Sequence, residues 1–159
     1  MADVRELLTN DSIMSKLNDP AQSQMGQRYP LSKLLLFYSF RELARRAPLK
    51  GDRDVVFNVM TPGACKSDIF RDDAGLVTKV VMGAAVAALG RSTEVGGRTL
   101  VYAVSPSLPA EAHGRFIMDT RVAPNGKNVD GPAGQEIAAK WNAELFAHLE
   151  TISPGCTSV

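Results

Sequence analysis

The sequence predicts an α/β fold, built like the C-terminal half of a doubly wound domain, with two parallel strands and several helices. Three observations predict it. A long helix at residues 24–46 is apolar around more than half its circumference, so it must be covered on two sides. Two short apolar strands, at 54–60 and 116–122, are separated by a long helical stretch, and strands joined that way run parallel. The composition agrees, because aromatic residues make up only 6% of the chain while it holds 13 glycines in 159 residues.

Each element has a local reason. Residues 1–23 form an N-terminal helical and polar segment. Val4, Leu7 and Leu8 fit one helical turn, Ile13, Met14 and Leu17 another, and Asn18-Asp19-Pro20 reads as a turn. From 24 to 159 the chain reads as one truncated domain. In the helix at 24–46, Leu31, Leu34, Leu35, Tyr38 and Glu42 follow at three- and four-residue steps. Leu36, Phe37 and Phe40 make a second stripe. Arg41, Arg45 and Arg46 suit the negative end of the helix dipole. Pro30 lacks an amide hydrogen, so the helix either starts near it or bends there.

Asp54 to Met60 is β-branched and apolar, as a buried parallel strand is, and Thr61-Pro62-Gly63 ends it. Residues 76–89 are rich in Ala and Val and read as a buried helix. Thr93 to Val104 is another, with Ser92 or Thr93 as cap and Pro106 beyond its end. Phe116 to Val122 is the second strand, introduced by His113-Gly114 and closed by Pro124-Asn125-Gly126. A last amphipathic helix at 133–150 places Ile137, Trp141, Leu145 and Leu149 at four-residue steps. The strand at 54–60 reads as interior and wants a neighbour on each side, of which one is evident. No G-x-G-x-x-G turn occurs in the sequence, so no phosphate cradle is visible.

Charge and cysteine use exclude several classes. With 18 Lys and Arg against 17 Asp and Glu, the net charge of +1 gives no electrostatic footing for nucleic acid or an anionic membrane. Cys65 and Cys156 are too few for a disulfide framework or a zinc site. The charged opening residues lack the apolar core of a signal peptide. The longest apolar run, Val80 to Leu89, is about half a membrane span. The expectation is a cytoplasmic protein. Asp68, Asp72 and Asp73 form a charged loop without further metal ligands, so no metal is expected. His113 and His148 read as surface residues and Cys65 as a small buried one.

The pair that can do chemistry is Tyr29 and Lys33, four apart and so on one face of the helix. A phenol beside an ammonium is biased toward the phenolate, whose ordinary pKa is about 10. Such a phenol can exchange a proton with a substrate oxygen. Arg28-Tyr29-Pro30-Leu31-Ser32-Lys33 resembles the Y-x-x-S-K helix of the short-chain dehydrogenase/reductase family. Asn58-Val59-Met60-Thr61-Pro62-Gly63 resembles that family's N-x-x-x-P-G turn, with Ser67 four residues later. The helix from Arg91 to Val101 and the strand from Gly114 to Asp119 resemble it too. Leu17-Asn18-Asp19-Pro20 and Arg41-Glu42-Leu43-Ala44-Arg45 are similar to phrases in fungal reductases of its retinol-dehydrogenase-like group.

The resemblance covers about Ile13 to Gly155 and implies the C-terminal half of a Rossmann-type domain lacking the Gly-rich first half. It implies that Tyr29 is the general acid/base. Lys33 would bind the nicotinamide ribose, and Pro62, Gly63 and Ser67 the carboxamide. Residues 66–90 would form a substrate lid. The family's serine precedes the tyrosine at a strand end, a place that Ser15 does not match. Three readings follow. The first is oxidoreduction of a carbonyl or alcohol in secondary metabolism, on a small apolar substrate. Its NADP or NAD would require a complementary first half, with no cofactor for this chain alone. The second is a non-redox isomerase, dehydratase or cyclase using the same Tyr29–Lys33 cleft. The third is an inactive partner subunit. Pairing of two copies is expected through the helix at 24–46 or the strand edge at 54–60.

Overall fold

A computed structural model describes residues 4–9, 11–22, 24–51, 54–66, 80, 83, 84 and 90–158. Its elements in chain order are α1 (Ile13–Asn18), α2 (Met25–Arg46), β1 (Asn58–Thr61), α3 (Thr93–Ala103), β2 (Arg115–Met118), β3 (Arg121–Ala123), α4 (Lys127–Asp130) and α5 (Pro132–Ile152). Short 3-10 turns stand at Val4–Leu7, Pro20–Gln22 and Ala110–Ala112. The chain divides into a helical unit, Met1–Phe57 with Pro124–Val159, and a sheet unit, Asn58–Ala123.

In the helical unit α2 starts at Met25 and runs through Pro30. The missing amide falls near the start of the helix. The carbonyl it would have met belongs to exposed Gly26, which water can reach, so the helix continues. Leu31, Leu35, Phe37, Tyr38, Ser39 and Ala44 are its buried residues. Helix α5 lies against this face. The Trp141 indole N–H donates to Ser39 Oγ at 3.0 Å, and Asn142 Nδ2 donates to the Tyr38 carbonyl at 3.3 Å. The Tyr38 hydroxyl donates to the Asn128 carbonyl. Burial pushes the Tyr38 phenol up to about 12, against the opposing charge of Arg41.

The stripe expected on α5 is displaced. Ile137 is fully buried, but the other buried residues are Gly134, Asn142 and Phe146, while Trp141, Leu145 and Leu149 are half-covered. The helix packs against α2 on one side and against α1 and the first 3-10 turn on another, which widens its covered surface beyond one stripe. Val4 and Leu7 of that turn are buried, whereas Leu8 is exposed. The Glu144 carboxylate accepts from Ser12 Oγ at 2.9 Å and from the amides of Ile13 at 2.9 Å and Met14 at 3.0 Å. A side chain distant in sequence thus satisfies the open donors at the start of α1. Lys140 Nζ donates to the carbonyls of Thr9 and Asp11.

The sheet unit holds a three-stranded sheet in the order β1-β2-β3. β1 and β2 are parallel, with Asn58 opposite Arg115 and Thr61 opposite Met118, as expected from the helical crossover. The α/β class stands. The strand boundaries differ from the sequence reading in two places. The expected strand at 54–60 is shorter and shifted to Asn58–Thr61, and it is half-covered rather than buried. Asp54 instead caps a turn, its carboxylate accepting from the amides of Lys50 and Gly51, and Val55 is 71% exposed. The expected single strand at 116–122 is a hairpin of antiparallel β2 and β3. Asp119 and Thr120 form its turn, both at φ 56°. Two left-handed residues in succession match the right-handed twist of a tight hairpin, and Asp tolerates that region.

α3 is capped by Ser92, whose hydroxyl accepts from the Val95 amide at 3.3 Å. Asn58 Nδ2 donates to the Ala103 carbonyl at 2.9 Å and ties the start of β1 to the end of α3. The helix expected at 76–89 lies outside the described residues apart from 80, 83 and 84.

Candidate functional site

Helix α2 brings Tyr29 and Lys33 together. The Lys33 ammonium stands 5.4 Å from the centroid of the Tyr29 ring, so a positive charge lies close to the phenol. Tyr29 is 72% exposed and Lys33 is exposed as well. Between them, the Ser32 hydroxyl donates to the Tyr29 carbonyl at 2.8 Å and is thereby committed to the helix backbone. Tyr29 and Lys33 belong to the helical unit, and Pro62 and Gly63 to the sheet unit.

The Pro62–Gly63 bend follows directly on the C-terminal end of β1, the side of a parallel sheet where α/β proteins place ligands. Gly63 adopts φ +76°, a conformation that suits glycine. Its amide donates to Thr61 Oγ1 at 3.2 Å. Three contacts hold the bend. Cys65 Sγ donates to the Pro62 carbonyl at 3.3 Å. The Arg91 amide donates to the Ala64 carbonyl at 2.8 Å, and its carbonyl accepts from Lys66 at 2.9 Å. Gly96 of α3 is buried where a side chain would overlap Cys65 Sγ and come within 3.2 Å of Pro62 Cβ.

Sequence reasoning missed Arg91 and Asp119 at this bend. The Arg91 guanidinium would lie 3.8 Å from a Cβ on Gly63, and it pairs with the Asp119 carboxylate at the hairpin tip. The hydrogen bond from Arg91 holds the Asp119 carboxyl below the usual carboxylate range. The pair spans 28 residues, and no local pattern announces it.

Ser67 lies outside the described residues, as do Asp68, Asp72, Asp73 and most of the expected lid at 66–90. Ser15 sits in α1, and its amide donates to Ser12 Oγ at 3.2 Å. Cys65 is half-buried rather than buried. Among the described residues there is no group of three or more His, Cys, Asp or Glu placed to hold a metal ion. No described helix is long and apolar enough to cross a membrane.

Taken unit by unit, the residues offer chemistry that a nicotinamide nucleotide can use. An exposed ammonium beside a phenol is a donor of the kind that ribose hydroxyls accept. In the sheet unit, Gly63 at positive φ turns the backbone after a parallel strand, with the Arg91 guanidinium beside it. A parallel strand that closes in such a bend, in a chain carrying a Tyr-x-x-Ser-Lys helix, defines a partial Rossmann-like domain of the dehydrogenase type.

Comparison with known proteins agrees. The chain is 32% identical to the short-chain dehydrogenase anuD of Penicillium roqueforti, over 98% of its own length and 41% of that protein. It is 33% identical to the short-chain dehydrogenase/reductase dmxR8 of a Cryptosporiopsis species, over 92% of its own length and 44% of that protein. To the short-chain dehydrogenase atnD of Emericella nidulans it is 36% identical, over 67% of this chain and 33% of that one. The chain belongs to the short-chain dehydrogenase/reductase family, and it spans less than half the length of these relatives. No family model and no solved structure matches it.

Proposed function

We propose that this chain supplies the catalytic helix and the nicotinamide-side bend of an NADP- or NAD-dependent oxidoreductase acting on a small apolar carbonyl or alcohol in secondary metabolism. The observation that carries the reading is the Lys33 ammonium 5.4 Å from the Tyr29 ring, on a helix with the family's spacing. A bound nicotinamide supplies the hydride. Tyr29 Oη gives a proton to the substrate carbonyl oxygen in reduction and takes it back in oxidation. Lys33 places positive charge where the phenol oxygen becomes negative, and it would hold the ribose hydroxyls. Backbone groups of the Pro62–Gly63 bend, with the Ser67 hydroxyl, would orient the carboxamide. The exposure of Tyr29 leaves its oxygen open to an incoming substrate.

The sequence has no Gly-rich phosphate turn, so on this reading the pyrophosphate is held by a complementary first half, as a second chain or as part of a longer gene product. Two copies pair through α2, which exposes Met25 and Leu36, or through the edge of β1. The test is NADPH and NADH oxidation with a panel of apolar ketones, using the chain supplied with its Gly-rich complement. Tyr29→Phe lowers kcat by about 10²–10⁴-fold and leaves NADPH affinity intact. Undiminished turnover in that variant removes Tyr29 from the chemistry.

A further inference from the structure

Within the sheet unit, one side chain links two loops that lie far apart in sequence. β1 and β2 run parallel, with Thr61 opposite Met118, so the Pro62–Gly63 bend and the Asp119–Thr120 hairpin tip both follow the C-terminal ends of neighbouring strands. That end of a parallel sheet is where α/β proteins seat their ligands. Arg91 joins the two. Its guanidinium pairs with the Asp119 carboxylate, and a Cβ on Gly63 would lie 3.8 Å from that guanidinium. Its backbone holds the far side of the bend. The amide donates to the Ala64 carbonyl at 2.8 Å, and the carbonyl accepts from the Lys66 amide at 2.9 Å.

That backbone link is an isolated parallel bridge between Cys65 and Arg91, and Ala64, Lys66 and Arg91 are exposed. Two exposed hydrogen bonds open easily. The hairpin tip is firmer, because Met118 and Arg121 pair on either side of it. Asp119 therefore gives Arg91 a fixed point from which to steady the bend. An exposed ion pair adds little to stability, so what this one supplies is position. The residue type agrees. Asn suits a tight turn at positive φ as well as Asp does, but only Asp brings the charge that meets Arg91. The guanidinium is committed to Asp119 and acts through the bend rather than on a ligand.

We propose that Arg91 is a positioning residue: paired with Asp119 across the ends of β1 and β2, it holds the Pro62–Gly63 bend in the form that a nicotinamide carboxamide meets. This role rests on the oxidoreductase reading, and it gives Arg91 no direct part in the chemistry.

The experiment compares Arg91→Met, Asp119→Asn and Arg91→Lys with the parent. In the chain alone, hydrogen exchange is followed at Lys66, at position 91 and at Ile117 of the central strand. Exchange at Lys66 and position 91 quickens about tenfold in Arg91→Met and Asp119→Asn, while Ile117 keeps its rate. Arg91→Lys, which retains the charge, stays near the parent. In the chain supplied with its Gly-rich complement, NADPH and NADH are titrated beside the matching nucleotides that end at the ribose, ADP-ribose among them. Arg91→Met and Asp119→Asn weaken the intact dinucleotide about fivefold or more, the worth of one oriented hydrogen bond, and leave the shortened nucleotide unchanged. A purely structural pair weakens both forms alike or neither. Either result overturns the proposal, as does bend exchange that ignores the two variants. If the parent with its complement binds no dinucleotide, the oxidoreductase reading fails and this role falls with it. Dinucleotide binding that the variants leave intact ends this role alone.

Discussion

The helical unit and the sheet unit are held together by different means. Nearly all the large buried side chains belong to the helical unit: Leu7, Ile13, Leu31, Leu35, Phe37, Tyr38, Ile137 and Phe146. In the sheet unit Ile117 is the one large apolar residue that is buried among those described, and the others are Ala103, Ala112 and Ala123. The helical unit therefore draws its stability from apolar burial, at roughly 25 cal/mol per Å². The sheet unit relies on strand pairing and close backbone approach, with Gly96 against Pro62 and Cys65, and Arg91 bridging both sides of the bend. The lesson concerns where chemistry sits. The candidate proton donor stands on a long helix anchored in the larger core, and the bend that would face a nicotinamide stands on the more thinly packed sheet.

Four substitutions sharpen or break that contrast. The largest effect belongs to Gly134→Ala. A Cβ at Gly134 overlaps the Asn128 carbonyl, so α4 and α5 must part, and the loss is about 3 kcal/mol or more by urea unfolding. A change under about 1 kcal/mol would mean that the helical unit is looser than described. Glu144→Ala comes next. It strands the Ile13 and Met14 amides and costs about 1–3 kcal/mol, with faster hydrogen exchange at the start of α1.

Gly96→Ala is milder, about 1 kcal/mol, because Cys65 Sγ can rotate aside whereas Pro62 cannot. In the double variant with Cys65→Ala part of that loss returns, and the coupling measures how closely α3 holds the bend. If the two losses simply add, α3 does not brace it. The smallest effect is pH-dependent. Glu42 is lowered to about 2, first by the hydrogen bond from Arg45, against some burial, and then by Arg46. A carboxyl with a depressed folded pKa stabilises fully above its ordinary pKa near 4.5, and the contribution is lost as pH falls toward about 2. In Glu42→Gln that part of the acid limb is absent. Solvent screening keeps the difference below about 1 kcal/mol, read from thermal melts across that range.

How much of the candidate site was legible depends on how its parts are spaced. Tyr29 and Lys33 were legible because four residues on a helix is a local relation that needs no partner element. The Pro62–Gly63 bend was legible because a β-branched run ending in Pro-Gly has few alternatives. The strand limits were not. The apolar neighbours of Asp54 suggest a strand, whereas its carboxylate serves the turn at Lys50–Gly51. Phe116 to Val122 suggests one continuous strand, yet Asp119 and Thr120 within it both take positive φ.

By itself, then, the sequence determined the long helices, a cap at Ser92 or Thr93 on α3, the parallel relation of β1 to β2 and the Tyr–Lys pairing. Each follows from periodicity or capping within a few residues, or from the length of a crossover. The tertiary structure alone decided the third strand, the displaced stripe on α5, the Glu144 cap 132 residues from Ser12 and the Arg91–Asp119 pair. Those depend on which surfaces meet, and a side chain's neighbours across space leave no period in the chain that carries it.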